Sequence, residues 1–238
     1  MPDIQATTIL SVNDLHAHYG ESHILHGVNF SVQQGELVTL LGRNGSGRTT
    51  ILKSILGLVG RRSGSIRIAG YETVKLPPHR IARLGVGYCP EERGIFSRLT
   101  VEENLLLPPV VKSGGMTQAE IYALFPNLLE RRKSMGTRLS GGEQQMLAMA
   151  RILRTGADLL LLDEITEGLA PVIVQALGSL IRQLKKRGFT IILVEQNFHF
   201  AADLADRHYV VDHGNIVDMI SMEALEASRE RLNGYLGV

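Results

Sequence analysis

Between residues 37 and 58 the chain reads as a short apolar run, a glycine-rich loop and a segment of helix-compatible spacing, and this order narrows the choice of fold sharply. Leu37-Val38-Thr39-Leu40-Leu41 is of strand type, Gly42 to Gly47 cannot hold regular structure, and Thr49 to Leu58 resumes with helical spacing. The loop Gly42-Arg43-Asn44-Gly45-Ser46-Gly47-Arg48-Thr49-Thr50 follows the phosphate-cradling pattern G-x-x-x-x-G-K-[ST], except that Arg48 stands where lysine belongs. Glycines let successive backbone N–H groups converge on phosphate oxygens, at the positive end of a helix dipole. Strand, loop and helix in that order are what a nucleotide site needs. The expected fold is therefore α/β with a P-loop.

With 238 residues the chain is long enough to bury a full core without disulfide or metal staples. Its formal charge of +1 and the lack of any block of like charge point away from nucleic acid and from anionic lipid. The clusters Gly60-Arg61-Arg62 and Glu130-Arg131-Arg132-Lys133 read as solvated loops or helix ends. Cys89 is the single cysteine, which excludes an intrachain disulfide and a thiolate zinc site and fits a reducing compartment. Met1 to Thr8 has neither the basic nor the apolar part of a signal peptide. The longest apolar stretches, Leu105 to Val111 and Leu159 to Leu162, fall far short of the ~20 residues that span a bilayer. A cytoplasmic location is expected, with any membrane role reached through a partner.

Strand-type runs recur at Ile9 to Leu15, Val28 to Val32, Leu37 to Leu41, Ser65 to Ile68, Val86 to Cys89, Leu159 to Asp163, Thr190 to Val194 and Tyr209 to Asp212. The late ones alternate with helices. Pro171 to Arg187 has helical spacing, a basic end in Lys185-Lys186-Arg187, and a stop at Gly188. This half predicts a mostly parallel sheet with crossover helices, whereas the early strands lie close enough to pair antiparallel. Between Ser97 and Thr155 the strand signal vanishes, and Val101 to Leu107, Gln118 to Phe125 and Gly141 to Arg154 predict a helical insertion. Ser113-Gly114-Gly115 reads as its most flexible joint, and Met222 to Gly234 as a short terminal helix and tail.

Leu159-Leu160-Leu161-Leu162-Asp163-Glu164 is a buried strand ending in two carboxylates. Ligands of doubly wound sheets bind at the carboxyl ends of the strands, so both acids should arrive beside the glycine loop. Asp163 is then placed to hold Mg²⁺ with the Thr49 hydroxyl, and Glu164 to orient and deprotonate an attacking water. Leu139-Ser140-Gly141-Gly142-Glu143-Gln144-Gln145 is a capping box, with Ser140 as cap, Glu143 three residues on, and two glycines at a positive helix end. It serves equally as a well-capped helix or as a second anion site. One nucleotide needs only one phosphate loop, so the second site would be shared with another copy or a homologue.

At these residues the chain resembles an ATP-binding cassette (ABC) subunit of a membrane transporter, and within that superfamily the ATP-binding subunits of branched-chain amino acid importers. The resemblance spans nearly all of residues 7 to 220 and rests further on Tyr88-Cys89-Pro90-Glu91-Glu92-Arg93-Gly94-Ile95-Phe96, Leu99-Thr100-Val101-Glu102-Glu103-Asn104-Leu105, Glu167-Gly168-Leu169-Ala170-Pro171 and Val194-Glu195-Gln196-Asn197. It implies a single ABC ATPase domain, with residues 1–96 and 156–220 as nucleotide-binding core, 97–155 as helical subdomain and 221–238 as C-terminal helix and tail. It implies two ATP molecules at the interface of a head-to-tail pair, formed with a second copy or a homologous subunit. In each site the phosphate loop, Gly42 to Thr50, would face Ser140, Gly141, Gly142 and Glu143 of the other subunit. By similarity Tyr19 stacks on adenine, Glu91 senses Mg²⁺ and contacts the permease, Glu167 to Ala170 cross the interface, and Gln196 sits near the γ-phosphate. Transmembrane permeases and, indirectly, a periplasmic solute-binding protein are the implied partners, which puts the chain on the cytoplasmic face of the membrane.

Three positions depart from the wider superfamily: Arg48 replaces lysine, Glu91 glutamine and Gln196 histidine. The last two are familiar in the importers it resembles. An arginine keeps charge and phosphate affinity but brings a larger planar fork. Two readings follow, a cassette that hydrolyses ATP and one that mainly binds it while a partner turns over. Cassette proteins acting on nucleic acid fit poorly, since the chain has room for one cassette, no sustained heptads and near-neutral charge. A small-molecule kinase would leave Leu139 to Gln145 unexplained. The cargo is not written in the sequence.

Overall fold

The computed structural model describes residues 7–237. Its elements run β1 (Thr8–Tyr19), β2 (Ser22–Gln33), β3 (Leu37–Leu41), α1 (Arg48–Ile55), β4 (Arg61–Ile68), β5 (Tyr71–Glu72), α2 (Pro78–Ala82), β6 (Val86–Cys89), α3 (Val101–Leu106), α4 (Gln118–Leu124), α5 (Pro126–Glu130), α6 (Gly141–Arg154), β7 (Leu159–Asp163), α7 (Pro171–Lys186), β8 (Thr190–Val194), α8 (Phe198–Ala202), β9 (Arg207–Asp212), β10 (Asn215–Ser221) and α9 (Arg229–Leu236). Short 3-10 turns at Gly136–Arg138, Met222–Ala224 and Glu226–Ser228 complete the regular structure of the described residues.

Five consecutive buried residues in each of β3, β7 and β8 leave these strands no solvent face. A strand sends alternate side chains to opposite faces, so such a run needs a layer on each side. Val38, Leu40, Leu159, Leu161, Ile192 and Val194 point into one core together with Ile51, Leu52 and Ile55 of α1 and the inner face of β1, β2 and β4. Leu37, Leu160, Leu162, Ile191 and Leu193 point the other way, against Leu147 and Leu153 of α6 and Leu177, Ile181 and Leu184 of α7. Each fully buried aliphatic side chain is worth about 1.5–3 kcal/mol, enough to fix the register.

Two sheets result. One is antiparallel, in the order β2-β1-β4-β5, and the other runs β10-β9-β3-β8-β7-β6. Strands β9, β3, β8, β7 and β6 are parallel, with β10 as an antiparallel edge. The early strands thus pair antiparallel as expected, except that β3 leaves the hairpin for the parallel sheet.

Several local expectations need correction. Arg61 and Arg62 belong to β4, opposite His18 and Ala17 of β1, and the Arg62 guanidinium donates to Val59 and Leu76 carbonyls rather than lying in solvent. Helix α1 stops at Ile55, short of Leu58, because the Gly57 and Leu58 N–H groups fold back onto the Ser54 and Lys53 carbonyls. The segment around Ser113-Gly114-Gly115 is docked rather than loose. Val111 N–H donates to Thr155 O and Met116 N–H to Leu153 O, at the end of α6. The terminal helix runs on to Leu236 and buries Leu232 against Leu41, Val210 and Ile220.

The β9–β10 turn locks the glycine loop from behind. His213 and Gly214 both have positive φ, 43° and 76°, as a two-residue type I′ hairpin requires. The Gly214 N–H donates to Ser46 O at 2.8 Å, and its carbonyl accepts from His26 N at 3.0 Å. A Cβ at Gly214 would lie 1.9 Å from the Ile24 carbonyl oxygen, which is backbone and cannot step aside. Gly214→Ala should lower stability by about 1–3 kcal/mol or more in urea denaturation, combining strain and overlap. Gly20→Ala, at φ 57° with nothing within 4 Å of the added Cβ, should cost clearly less; equal losses would remove the overlap as the cause.

Candidate functional site

Helix α1 begins without a cap. Gly47, at φ 109°, supplies no side chain, and the first turn has no acid. In α3, α4 and α6 a Thr or Ser cap and a glutamate three residues on close the helix end reciprocally. At α1 the first N–H groups and the positive dipole end therefore stay available to an anion. Two buried polar atoms beside them also lack a partner, Ser46 Oγ and Arg48 Nη1. Arg48 is only 4% exposed, so an unpaired donor there is costly unless a ligand completes it. These orphans, in a loop whose glycine Gly42 passes too close to Val211 O for any side chain, fit a phosphate-bearing ligand.

Strand β8 lies between β3 and β7, and all three are parallel, so the loops that follow them open on one edge. Asp163 and Glu164 arrive there from β7 and meet two consecutive residues of α1. Thr49 Oγ1 donates to Asp163 Oδ1 at 3.0 Å, and Arg48 Nη2 donates to Glu164 Oε1 at 2.7 Å and to Asn44 Oδ1 at 3.2 Å. The second oxygen of Asp163 accepts from the Tyr88 hydroxyl at 3.0 Å. Burial pushes the Asp163 carboxyl up, opposed by the Tyr88 and Thr49 hydrogen bonds and by Lys53 and Arg48. Burial likewise raises Glu164; the Arg48 charge opposes it, while Glu167 and Glu91 add to the rise. Glu164 also sits at φ 46°, a strained conformation for a non-glycine residue that recurs at functional sites.

An open cleft of about 440 Å³ runs over this edge, lined by Tyr19, Ile24, the glycine loop, Glu91, Glu164 and Glu167. One carboxylate oxygen each from Glu91, Glu164 and Glu167 lies within 4.8 Å of the others. Of the three residues expected around Mg²⁺, Thr49 and Asp163 are in contact, whereas Glu91 joins the other two glutamates. Gln196 borders a second hollow with Glu164, Thr166 and Glu167, on the far side of the same carboxylates. Arg43 turns away, lining a different hollow with Asp212, His213 and Tyr235. Ser140 to Glu143 do not reach this cleft: Ser140 caps α6, Gly141 faces Arg93, and Gly142 packs on Ile173.

Two contributors carry no role in the sequence reading, Tyr88 and Glu195. The Glu195 carboxylate, 2% exposed, accepts from Thr166 N at 3.2 Å and Thr166 Oγ1 at 2.9 Å. It ties the turn after β7 to the turn after β8. The signal was present, since Glu195 follows an apolar parallel strand just as Glu164 does.

A family model for the ABC transporter matches residues 25–167. The chain belongs to the ABC transporter family. As a member of this ATPase family it binds nucleotide. It is 43% identical to the high-affinity branched-chain amino acid transport ATP-binding protein BraG of Pseudomonas aeruginosa, over 96% of this chain and 100% of that one. It is 38% identical to a probable branched-chain amino acid transport ATP-binding protein, LivF, of Archaeoglobus fulgidus (85% and 87%), and 33% identical to the lipopolysaccharide export system ATP-binding protein LptB of Haemophilus influenzae (97% and 98%). A solved ATP-binding subunit of an ABC transporter superposes with a TM-score of 0.80 at 28% identity, covering 97% of this chain and 100% of its own. Among the described residues of this cassette no helix is long and apolar enough to cross a membrane.

Burial holds the Glu195 carboxyl up at about 7, against the Thr166 hydrogen bonds that lower it. A carboxyl raised in the folded state binds more protons there than in the unfolded chain between the ordinary value of 4.5 and about 7. Stability attributable to Glu195 therefore falls as pH rises through that window, by up to about 3 kcal/mol. Glu195→Gln keeps an acceptor for Thr166 N and removes the charge. Urea denaturation should find parent and variant alike at pH 5 and the variant more stable at pH 8; a constant difference across pH would contradict it.

Proposed function

We propose that the chain binds Mg·ATP in the cleft above α1 and hydrolyses it, coupling that cycle to uptake of branched-chain amino acids or a related small polar solute. The observation that carries this reading is the paired contact of β7 with α1, Arg48 on Glu164 and Thr49 on Asp163. The cargo class is supported by the names of the BraG and LivF relatives, the first of which the chain matches along its whole length. LptB, named for export, is the more distant of the three.

Arrival of the triphosphate would draw the Arg48 guanidinium to the β- and γ-oxygens, where its unpaired Nη1 already lacks a partner. Glu164, released, takes a proton from the water that attacks the γ-phosphorus, as the bond to the ADP oxygen breaks. Tyr19 in the same cleft offers its ring to adenine, and Gln196 offers an amide to the γ-phosphate. The Thr49 hydroxyl and the Asp163 carboxylate offer hard oxygen donors of the kind Mg²⁺ takes, with Glu91 near them. Mg²⁺ bound there supplies charge neutralisation at the phosphates.

The capped end of α6, with Ser140, Gly141, Gly142 and Glu143, is assigned to the phosphates held by a partner cassette, a second copy or a homologue in head-to-tail arrangement. That none of the four lines the chain's own cleft supports this assignment. Residues 97–155 act as the helical subdomain between core segments 1–96 and 156–220, with 221–238 as the C-terminal helix and tail. Attachment to permeases would hold the chain peripherally at the cytoplasmic face of the membrane, with a periplasmic binding protein delivering the solute.

A second reading is favoured by the ion pair itself: a guanidinium that keeps hold of the base gives a site that binds ATP and turns over little. ATPase rate and leucine uptake in the assembled transporter separate the two. Glu164→Gln should lower turnover by about 100-fold or more and leave ATP bound. Arg48→Lys should leave the rate within about threefold of the parent if release of Glu164 is efficient; a rise of about tenfold would establish the binding-dominant reading. Unaltered hydrolysis in Glu164→Gln would remove that residue as the base, and unaltered leucine uptake in cells lacking the chain would remove the cargo assignment.

A further inference from the structure

Four of the chain's eight histidines meet on one face of the β1–β2 hairpin, and none of them lines the nucleotide cleft. His16 is opposite His26 in the ladder and His18 opposite His23, and an irregularity between Ala17 and His18 brings the rows together. The His23 ring sits at the centre, with its centroid 5.2 Å from that of His16 and 4.1 Å from those of His18 and His26. His16 Nδ1 and His23 Nε2 are 3.1 Å apart. On its other side His16 Nε2 lies 3.1 Å from Asp14 Oδ1.

That carboxylate decides the tautomer. Where the Asp14 carboxylate accepts from His16 Nε2–H, the His16 Nδ1 lone pair faces His23 and accepts from His23 Nε2–H; a metal ion would take the place of that hydrogen, leaving His23 with its hydrogen on Nδ1. A carboxylate that orients one histidine nitrogen while the other faces a shared centre is the arrangement found behind metal-ligating histidines. The spacing agrees. Zinc–nitrogen bonds of about 2.0–2.1 Å at a tetrahedral angle set two donor nitrogens about 3.3 Å apart, close to the 3.1 Å already present. His26 is exposed and beside His23, so rotation of its side chain brings in a third nitrogen. His18 stacks on His23 with an interplanar angle of 2°, so its in-plane lone pairs run parallel to those of His23 and cannot converge on the same ion. Arg61, opposite His18 on β4, adds a positive charge at that end of the row.

We propose that His16, His23 and His26 form a site for a divalent transition-metal ion of the imidazole-seeking class, Zn²⁺, Cu²⁺ or Ni²⁺, with Asp14 orienting His16. The donor set is soft enough to exclude Mg²⁺, so this site is chemically separate from the oxygen donors of the cleft. The hairpin also carries Tyr19 and Ile24 into the nucleotide cleft, and His26 N–H reaches the glycine loop through Gly214 and Ser46.

The test is isothermal titration of the full, tag-free chain with Zn²⁺, after removal of metals by chelation and with excess Mg²⁺ present to fill oxygen sites. One Zn²⁺ per chain is expected. Affinity should fall at least about tenfold in His16→Gln and in His23→Gln, and about 10- to 100-fold in Asp14→Asn, where the orienting charge alone is lost. His18→Gln and the remote His79→Gln should keep the site, and ATP binding reports independently that each variant is folded. Absence of saturable binding, or binding unchanged in the His16→Gln/His23→Gln double variant, would overturn the proposal.

Discussion

Everything at the functional edge depends on three adjacent parallel strands, β3, β8 and β7, that are buried on both faces. With no polar face of their own, these strands place their chemistry at their carboxyl ends, and parallel order puts all three ends together. The glycine loop follows β3, Glu195 follows β8, and the Asp163-Glu164 pair closes β7. Within that edge the Arg48–Glu164 ion pair is the most consequential contact. Both groups are largely withdrawn from water, with side chains 3% and 14% exposed. Burying such a pair is costly, and the direct hydrogen bond between the two charges offsets that cost.

The identity of the cation matters to this arrangement. Arg48 uses one nitrogen, Nη2, for both Asn44 and Glu164 and leaves Nη1 buried and unpaired. A lysine offers a single nitrogen, so it could not hold the glutamate and present a directed donor elsewhere with the same geometry. In the proposed cycle the free Nη1 meets phosphate first, and the transfer of Nη2 from Glu164 follows. Burial raises the proton affinity of Glu164, which suits a base once Arg48 has left it.

Much of this was legible in the sequence for a simple reason: continuous apolar runs and capping boxes are local signals. β3, β7, β8 and α6 have the predicted boundaries because their ends are marked by glycine, by acid or by the Ser140–Glu143 box. The edges were less legible. β10 is mostly exposed or half-buried, with Ile220 alone buried, and β5 has only two residues, so neither stands out from a loop. Arg61 is exposed as expected, whereas Arg62 looked solvated because the carbonyls it meets lie on segments that only the fold brings to it. The site divides in the same way. Residues contiguous with the glycine loop could be placed from spacing alone, whereas Tyr88 on Asp163 and Glu195 on Thr166 join segments 75 and 29 residues apart. Arg43 belongs to the loop pattern yet faces α9, because side-chain direction is set by packing that the pattern does not contain.

In the proposed cycle Arg48 exchanges a carboxylate for a phosphate. The most direct measurement is a crystal structure of the chain with Mg²⁺ and a non-hydrolysable ATP analogue. The predicted result is an Arg48 guanidinium within hydrogen-bond distance of a β- or γ-phosphate oxygen and a Glu164 carboxylate no longer bonded to it. A nucleotide-bound structure in which Arg48 Nη2 still holds Glu164 at 2.7 Å, with no contact from Arg48 to phosphate, would contradict it.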